Sequence, residues 1–95
     1  MSSLNAIEII TKWYQIKCNG QWEHEFGIEI KNIDNPGWCI QIKDDDKRTP
    51  FTYATESSDQ NWVHIKATEY SFSAYGGPIN LNEILRQAAT WLTKE

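Results

Sequence analysis

Two runs of alternating apolar and polar residues flank a turn sequence in the first half of the chain. In residues 22–31 the apolar side chains and His24 occupy the even positions, and residues 38–43 repeat the pattern. This period of two is typical of a β-strand with one buried and one solvated face. The connecting Asp-Asn-Pro-Gly puts Pro36 and Gly37 at the central positions of a type II turn. The sequence therefore predicts a β-hairpin whose apolar face must be covered by other elements.

The parity of this hairpin restricts its loop. For the isoleucines of the two strands to share a face, directly opposed residues must have numbers with an even sum, so the loop must contain an odd number of residues. We therefore predict a loop of three residues, 35–37, or of five residues, 33–37.

Further helices and strands are predicted on both sides of the hairpin. Residues 3–17 form a helical pattern with Ser2 or Ser3 as N-cap, and residues 51–56 and 62–72 predict two more strands, the second with ambiguous parity. The apolar stripe of the first helix is predicted to contain Leu4, Ile7, Ile10 and Tyr14.

The C-terminal segment begins with Asn80 and Glu83, which have the spacing of a capping box, and continues as an amphipathic helix. The order of elements predicts an α+β fold in which a four-stranded antiparallel sheet has an N-terminal and a C-terminal helix packed on one face. We expect residues 1–95 to form a single domain.

The acidity of the chain is concentrated in one stretch. Residues 23–46 contain seven acidic side chains and two lysines, whereas the rest of the chain contains six acidic and seven basic side chains. Such a stretch repels nucleic acid and anionic membranes and attracts a basic partner. We therefore expect no binding to nucleic acid or to a membrane.

The N-terminal residues predict neither a signal peptide nor a membrane span, so we expect a cytoplasmic protein in which Cys18 and Cys39 are free thiols. Five tryptophans in 95 residues indicate that aromatic packing supplies much of the core. Trp62 is a candidate surface anchor. Self-association through Trp62 and Tyr70 is a further alternative, and we expect a monomer or a weak dimer.

The Glu-His-Glu triplet at residues 23–25 is the main candidate for chemistry. In an extended strand His24 points away from its neighbours, and Glu23 and Glu25 lie together on the solvated face, about 6.5 to 7 Å apart. That spacing suits a pair of glycosidase carboxylates, and it also occurs on any solvated strand face. The alternative function is therefore a small cytosolic ligand-binding or hydrolytic domain that uses Glu23, Glu25 and His64 in a concave pocket.

The spacing of the available ligands does not favour a metal site. Cys18, His24, Cys39 and His64 include no closely spaced pair that would preset half of a zinc site. The consecutive aspartates 44–46 lack the alternate spacing and the glycine of a calcium loop, and they predict a solvated loop. With no nucleophile motif or phosphate-binding loop, we expect a protein that is not an enzyme and has no cofactor.

Residues 13–42 carry a dense pattern of uncommon residues. The pattern consists of Trp13-Tyr14, Cys18-Asn19-Gly20, Trp22-Glu23-His24, Phe26-Gly27-Ile28 and Asp34-Asn35-Pro36-Gly37-Trp38. It resembles W-Y-x3-C-N-G-x-W-E-H-x-[YF]-G-I followed by L-D-N-P-G-W, which is the pattern of immunity protein family 53 of bacterial polymorphic toxin systems. The resemblance thins beyond residue 43.

This resemblance implies a small cytosolic protein, encoded beside a toxin gene, that binds the toxin and blocks it without chemistry of its own. The acidic stretch suggests how: a flat or convex acidic strand face would occupy the basic surface of a cognate toxin, such as a nuclease, as a phosphate mimic. The predicted contact residues are Glu23, Glu25, Glu29, Asp34, Asp44, Asp45 and Asp46, with Trp62 as an aromatic anchor.

Overall fold

The computed structural model describes residues 5–93, which form two helices and a five-stranded antiparallel sheet. The elements are α1 (Ala6–Lys17), a one-turn 3-10 helix (Trp22–His24), β1 (Gly27–Ile33), β2 (Gly37–Lys43), β3 (Phe51–Ser58), β4 (Asn61–Ala67), β5 (Ser71–Gly76) and α2 (Leu81–Thr93). The strand order is β1-β2-β5-β4-β3. The α+β class is confirmed, but the prediction of four strands is wrong.

The additional strand arises because the predicted strand 62–72 is a hairpin. The Thr68 hydroxyl accepts hydrogen bonds from the backbone N–H groups of Tyr70 and Ser71, at 3.3 and 3.1 Å. The Thr68 N–H donates to the Ser71 carbonyl oxygen at 2.8 Å. This polar turn reverses the chain, so odd positions of β4 and even positions of β5 face the same side. The ambiguous parity of residues 62–72 results from that reversal.

The parity prediction for the first hairpin is confirmed, but the turn type is wrong. Ile28 pairs with Ile42, and the register is that of the longer predicted loop. Gly37 pairs with Ile33 as the first residue of β2, so it does not occupy the left-handed position of a type II turn. The Asn35–Pro36 peptide bond is cis.

The predicted strand at residue 22 begins later, at Gly27, because a side chain imposes a turn first. The Asn19 Oδ1 atom accepts hydrogen bonds from the N–H groups of Gln21 and Trp22, both at 2.9 Å. Gly20, with a φ of 96°, supplies the left-handed residue that this turn requires. The Glu-His-Glu triplet therefore occupies a helical turn and its end rather than the two faces of a strand.

The buried face of α1 agrees with the predicted stripe at Ile10 but not at Ile7 and Tyr14. Its buried side chains are Ala6, Ile10 and Trp13, whereas Ile7 is 62% exposed and Tyr14 is also exposed. Trp13 takes the central place in this face because its indole N–H reaches a buried acceptor described below. The predicted stripe residue Leu4 lies outside the described residues, as do the predicted N-caps Ser2 and Ser3.

The N-cap of α1 is Asn5, in a capping box that the sequence reading missed. The Asn5 Oδ1 atom accepts from the Glu8 N–H at 2.9 Å, and the Glu8 Oε1 atom accepts from the Asn5 N–H at 3.1 Å. Asn80 and Glu83, predicted to form such a box in α2, behave differently. The Asn80 Oδ1 atom accepts from the Trp62 N–H at 3.2 Å, so this side chain ties the start of α2 to β4.

The helices lie on one side of the sheet. Helix α2 packs across β2 and β5, and α1 packs against α2. The shared core contains Ala6, Ile10, Trp13, Trp22, Ile40, Ile42, Val63, Ile65, Ala67, Phe72, Ala74, Ile84, Leu85, Ala88, Ala89, Trp91 and Leu92. The opposite face of the sheet has no helix over it within the described residues, and we call it the open face.

A buried carboxylate joins α1, the 3-10 helix and the segment after β2. Asp44 is 1% exposed, and its two oxygens accept hydrogen bonds from several donors. The donors are Trp13 Nε1 at 2.9 Å, Trp22 Nε1 at 3.1 Å, Arg48 Nη1 at 2.7 Å, the Asp45 N–H at 2.7 Å and Lys17 Nζ at 3.1 Å. We call this set the Asp44 network.

The protonation equilibria of this network favour the charged forms. Burial of the Asp44 carboxylate opposes ionisation, but the hydrogen bonds from Trp13, Arg48 and Lys17 outweigh burial and hold its pKa well below the ordinary value. Partial burial of the Lys17 ammonium group favours its neutral form, yet its hydrogen bonds to Asp45, Asp46 and Asp44 raise its pKa. The network is therefore ionic at neutral pH.

Replacing Asp44 with asparagine should destabilise the protein strongly. The change leaves the nearly buried Arg48 and the two indole N–H groups without a charged acceptor, which typically costs about 3 to 5 kcal/mol. We expect a loss of that order in the free energy of unfolding, measured by urea denaturation at pH 7. Asp46→Asn is the control, because its side chain is 63% exposed, and it should cost less than about 1 kcal/mol. Equal losses would contradict the central role of Asp44.

The same network predicts how stability depends on pH. As the pH falls, Asp44 of the unfolded chain takes up a proton near the ordinary aspartate pKa of about 4, before the native carboxylate does. The stabilisation is present above about pH 5 and is lost progressively below it. We expect the free energy of unfolding of the wild type to fall more steeply from about pH 5 to pH 2 than that of Asp44→Asn. Parallel curves would refute this assignment.

Gly37 allows a close approach between β2 and the end of β5. A Cβ atom at this position would lie 2.3 Å from the carbonyl oxygen of Gly76 and 3.3 Å from the Cζ2 atom of Trp62. The Gly76 oxygen belongs to the backbone, so it cannot yield without a shift of the strand. Glycine is required here for space rather than for an unusual φ.

Gly37→Ala should therefore destabilise the sheet and displace Trp62. We expect a loss of about 2 kcal/mol in the free energy of unfolding, as for other overpacked sites, with an altered tryptophan fluorescence spectrum. Thr52→Ala, on the exposed strand β3, is the control and should change stability by less than about 1 kcal/mol. Retention of full stability by Gly37→Ala would mean that the two strands separate more easily than the structure indicates.

Candidate functional site

The seven carboxylates predicted to contact a partner do not share one face. Asp44 is buried in its network, so its prediction as a surface residue is wrong, and its place in a solvated loop is wrong for the same reason. Glu23 is half-buried, and its Oε1 atom accepts from the Asn19 N–H at 3.0 Å. A hydrogen bond from its own N–H, together with those of Asn19 and Gly20, lowers the Glu23 pKa. Both side chains stabilise the fold.

Two other predicted residues bind an internal cation. The carboxylates of Asp44, Asp45 and Asp46 lie within 4.8 Å of one another. The Lys17 ammonium group sits among them, 2.7 Å from Asp45 and 2.9 Å from Asp46. The positive charge that these three aspartates hold is therefore that of Lys17. Asp45 also lines a shallow cavity with Glu25, next to Trp22.

Glu29 and Asp34 remain exposed in the first hairpin. Glu29 lies on the open face of β1, with its Oε1 atom 3.7 Å from the Lys31 ammonium group. Asp34 lies in the β1–β2 turn. Only these two of the seven therefore belong to the open face or its rim.

The residues of the alternative catalytic site are not brought together. Glu25 lines the cavity beside Trp22, whereas His64 projects from the open face of β4 and lines a different groove. The His64 Nε2 atom lies 2.8 Å from the Glu56 carboxylate. His24, predicted on a buried face, is exposed in the 3-10 helix.

A row of paired residues crosses the middle of the open face. In strand order it contains Lys31, Cys39, Tyr75, His64 and Ala54. Cys39 points to this face as predicted but is only 1% exposed, and its burial raises the pKa of the thiol. Cys39 and Cys18 are both free thiols, as expected.

The next row, at the edge where the β1–β2 and β3–β4 turns lie, has glycines at its centre. Gly37 pairs with Ile33 on one side of the row. On the other side the Gly77 N–H donates to the Trp62 carbonyl oxygen at 2.9 Å, and Trp62 pairs in turn with Glu56. A groove of about 1090 Å³ lies between the two turns at this edge. We call it the turn groove.

The turn groove is bounded by side chains from three regions of the chain. Its lining residues are Ile33, Asp34, Asn35, Pro36, Glu56, Ser57, Ser58, Asp59, Gln60, Trp62, His64 and Tyr75. Within the described part of the chain, this lining includes three carboxylates and neither lysine nor arginine. The open face is thus concave at this edge, whereas a flat or convex face was expected. Asp44, the carboxylate whose pKa is held low, does not line the turn groove.

Trp62 lies at the bottom of the turn groove and is half-buried. Its ring makes an edge contact with His64, at 5.5 Å between centroids and 69° between planes, and its Cζ2 atom lies next to Gly37. Tyr70, named with Trp62 for self-association, follows the opposite end of β4. The two side chains therefore do not form one patch.

Sequence reasoning missed Glu56, Asp59 and Tyr75 as parts of this region. Tyr75 belongs to β5, and that strand follows from the sequence only if the predicted strand 62–72 is divided in two. The shared parity of Trp62 and His64 was a usable signal, because it indicated two large polar or aromatic side chains on the solvated face.

No helix within residues 5–93 is long and apolar enough to cross a membrane. Comparisons with curated proteins and with solved structures gave no match. A comparison with protein-family models matched residues 7–93 to Immunity protein 53. The match covers α1 from its second residue onward, the whole sheet and α2, and the chain therefore belongs to the immunity protein 53 family.

Proposed function

We propose that this protein binds a cognate toxin domain in the cytoplasm and neutralises it by non-covalent contact through the open face of its sheet. The observation that carries this proposal is the turn groove, where half-exposed aromatic side chains lie beside carboxylates on the face that the helices leave free. Interface centres are enriched in such aromatic residues. Family membership supplies the toxin as the partner.

The charge of the groove favours a basic partner. Asp34 lies on one wall, and Glu56 and Asp59 lie on the other. A toxin that acts on nucleic acid needs a positive surface, which an acidic groove would attract and cover. We therefore propose a basic toxin and include nucleases among the candidates.

Binding is favoured over the hydrolytic alternative by the separation of Glu25 and His64 into different cavities. A pair of catalytic carboxylates must flank one bond. Neither cavity contains Glu23, whose carboxylate is engaged by backbone N–H groups.

The first test is calorimetry with the toxin domain encoded by the adjacent gene. We expect a 1:1 complex whose affinity weakens by about tenfold or more when the salt concentration rises from 50 to 200 mM, because charged groups form much of the contact. Tight binding that is indifferent to salt would retain the function and remove the acidic groove from it. No binding would reject the function for this toxin.

Charge reversal can locate the contact surface. Asp34→Lys should reduce the association rate constant about tenfold at low salt, because it places a positive charge in the path of a basic partner. Glu25→Lys is the matched control, since it changes the charge equally at an exposed site outside the turn groove. It should change the rate less than about threefold. A larger effect at Glu25 would move the contact surface toward the cavity beside Trp22.

A further inference from the structure

The two walls of the turn groove are turns that are remote in sequence. The β1–β2 turn contributes Asp34 and Pro36, and the end of β3 with its following turn contributes Glu56 and Asp59. Their carboxylates thus approach an occupant from opposite sides. The floor between them is aromatic and includes Trp62 and Tyr75.

The groove is too large for one side chain and too open for a small ligand to be enclosed. Small-molecule sites typically have about 300 to 1,000 Å³ and bury most of the ligand. At about 1090 Å³, open to solvent between two turns, this groove suits a projecting loop of another protein.

The combination of groups on its surface selects among basic side chains. A guanidinium group is planar, stacks on aromatic rings and donates two parallel hydrogen bonds to a carboxylate. Trp62 and Tyr75 offer ring surfaces, and the three carboxylates offer acceptors on both sides. A lysine ammonium group, which is a compact and strongly hydrated charge, would use the carboxylates but gain less from the rings.

The histidine among the lining residues does not fill this role. His64 is bonded to Glu56 through Nε2, and its ring packs against the edge of Trp62. Asp34 and Asp59 are exposed on their turns. The groove thus retains acceptors for a cation supplied from outside.

We propose that the turn groove is a receptor for an arginine side chain carried on a projecting loop of the toxin. The guanidinium group stacks over Trp62 and bonds to the carboxylates of the two turns. This assignment rests on the proposed function, because it names the chemistry of the partner at the same surface.

The test uses the full-length protein and the toxin domain encoded by the adjacent gene. Glu56→Gln combined with Asp59→Asn removes two charges from one wall and preserves the side-chain shapes. We expect the dissociation constant to rise at least 30-fold, as at interface hot spots. Glu25→Gln combined with Asp45→Asn is the matched control, because it removes the same charge from the separate cavity beside Trp22. This control should change the dissociation constant less than threefold. Circular dichroism and urea denaturation check that each variant is folded.

Chemical footprinting identifies the partner's side chain. Toxin arginines are modified with phenylglyoxal and toxin lysines with an acetylating ester, in the free toxin and in the complex, and the products are mapped by mass spectrometry. We expect at least one toxin arginine to be protected in the complex with the wild-type protein. The same arginine should become reactive in the complex with the Trp62→Ala variant, compared at the same fraction of bound toxin. A lysine protected in this way, with no protected arginine, would overturn the assignment.

The outcomes separate the two proposals. If the wild type does not bind the toxin, the proposed function and this inference both fail. If the wild type binds and the groove variants bind equally well, the function stands and the arginine receptor is refuted.

Discussion

Burial of one carboxylate fixes how α1, the 3-10 helix and the segment after β2 pack together. A charged group in a protein interior is costly unless hydrogen bonds and opposite charges compensate it. Asp44 meets this requirement with donors from α1, from the 3-10 helix and from the segment that follows β2. The geometry of these donors determines which face of α1 is buried and how Trp22 enters the core.

The residues of the family pattern acquire a structural explanation from this network. Asn19 and Gly20 form the turn that directs Trp22 toward Asp44, and Glu23 accepts a hydrogen bond from the same turn. Gly37, in the second part of the pattern, lets β2 approach β5 and leaves room for Trp62. Much of the pattern thus maintains the fold, and the proposed partner surface uses residues from other parts of the chain.

The distribution of acidic residues changes meaning once the chain is folded. Asp44, Asp45 and Asp46 are bound by Lys17 and Arg48, so part of the acidic stretch balances internal cations. The carboxylates of the turn groove come instead from the β1–β2 turn and from the end of β3 with its following turn. Glu56 and Asp59 lie outside the acidic stretch altogether. Local charge counts therefore identified an acidic protein but not its acidic surface.

The sequence by itself determined the α+β class, the parity of the first hairpin and the family, because these depend on local periodicity and on residues at fixed spacing. It could not show that Trp13, Trp22 and Asp44 meet, since the contact joins residues up to 31 positions apart. Nor could it show that the strand predicted for residues 62–72 reverses at Thr68. Only the pairing of β4 with β5 shows that odd positions of the first strand and even positions of the second face the same side. The turn groove depends on the tertiary structure alone. Its two walls are distant in sequence, and they face each other only because β5 lies between β2 and β4 in the sheet.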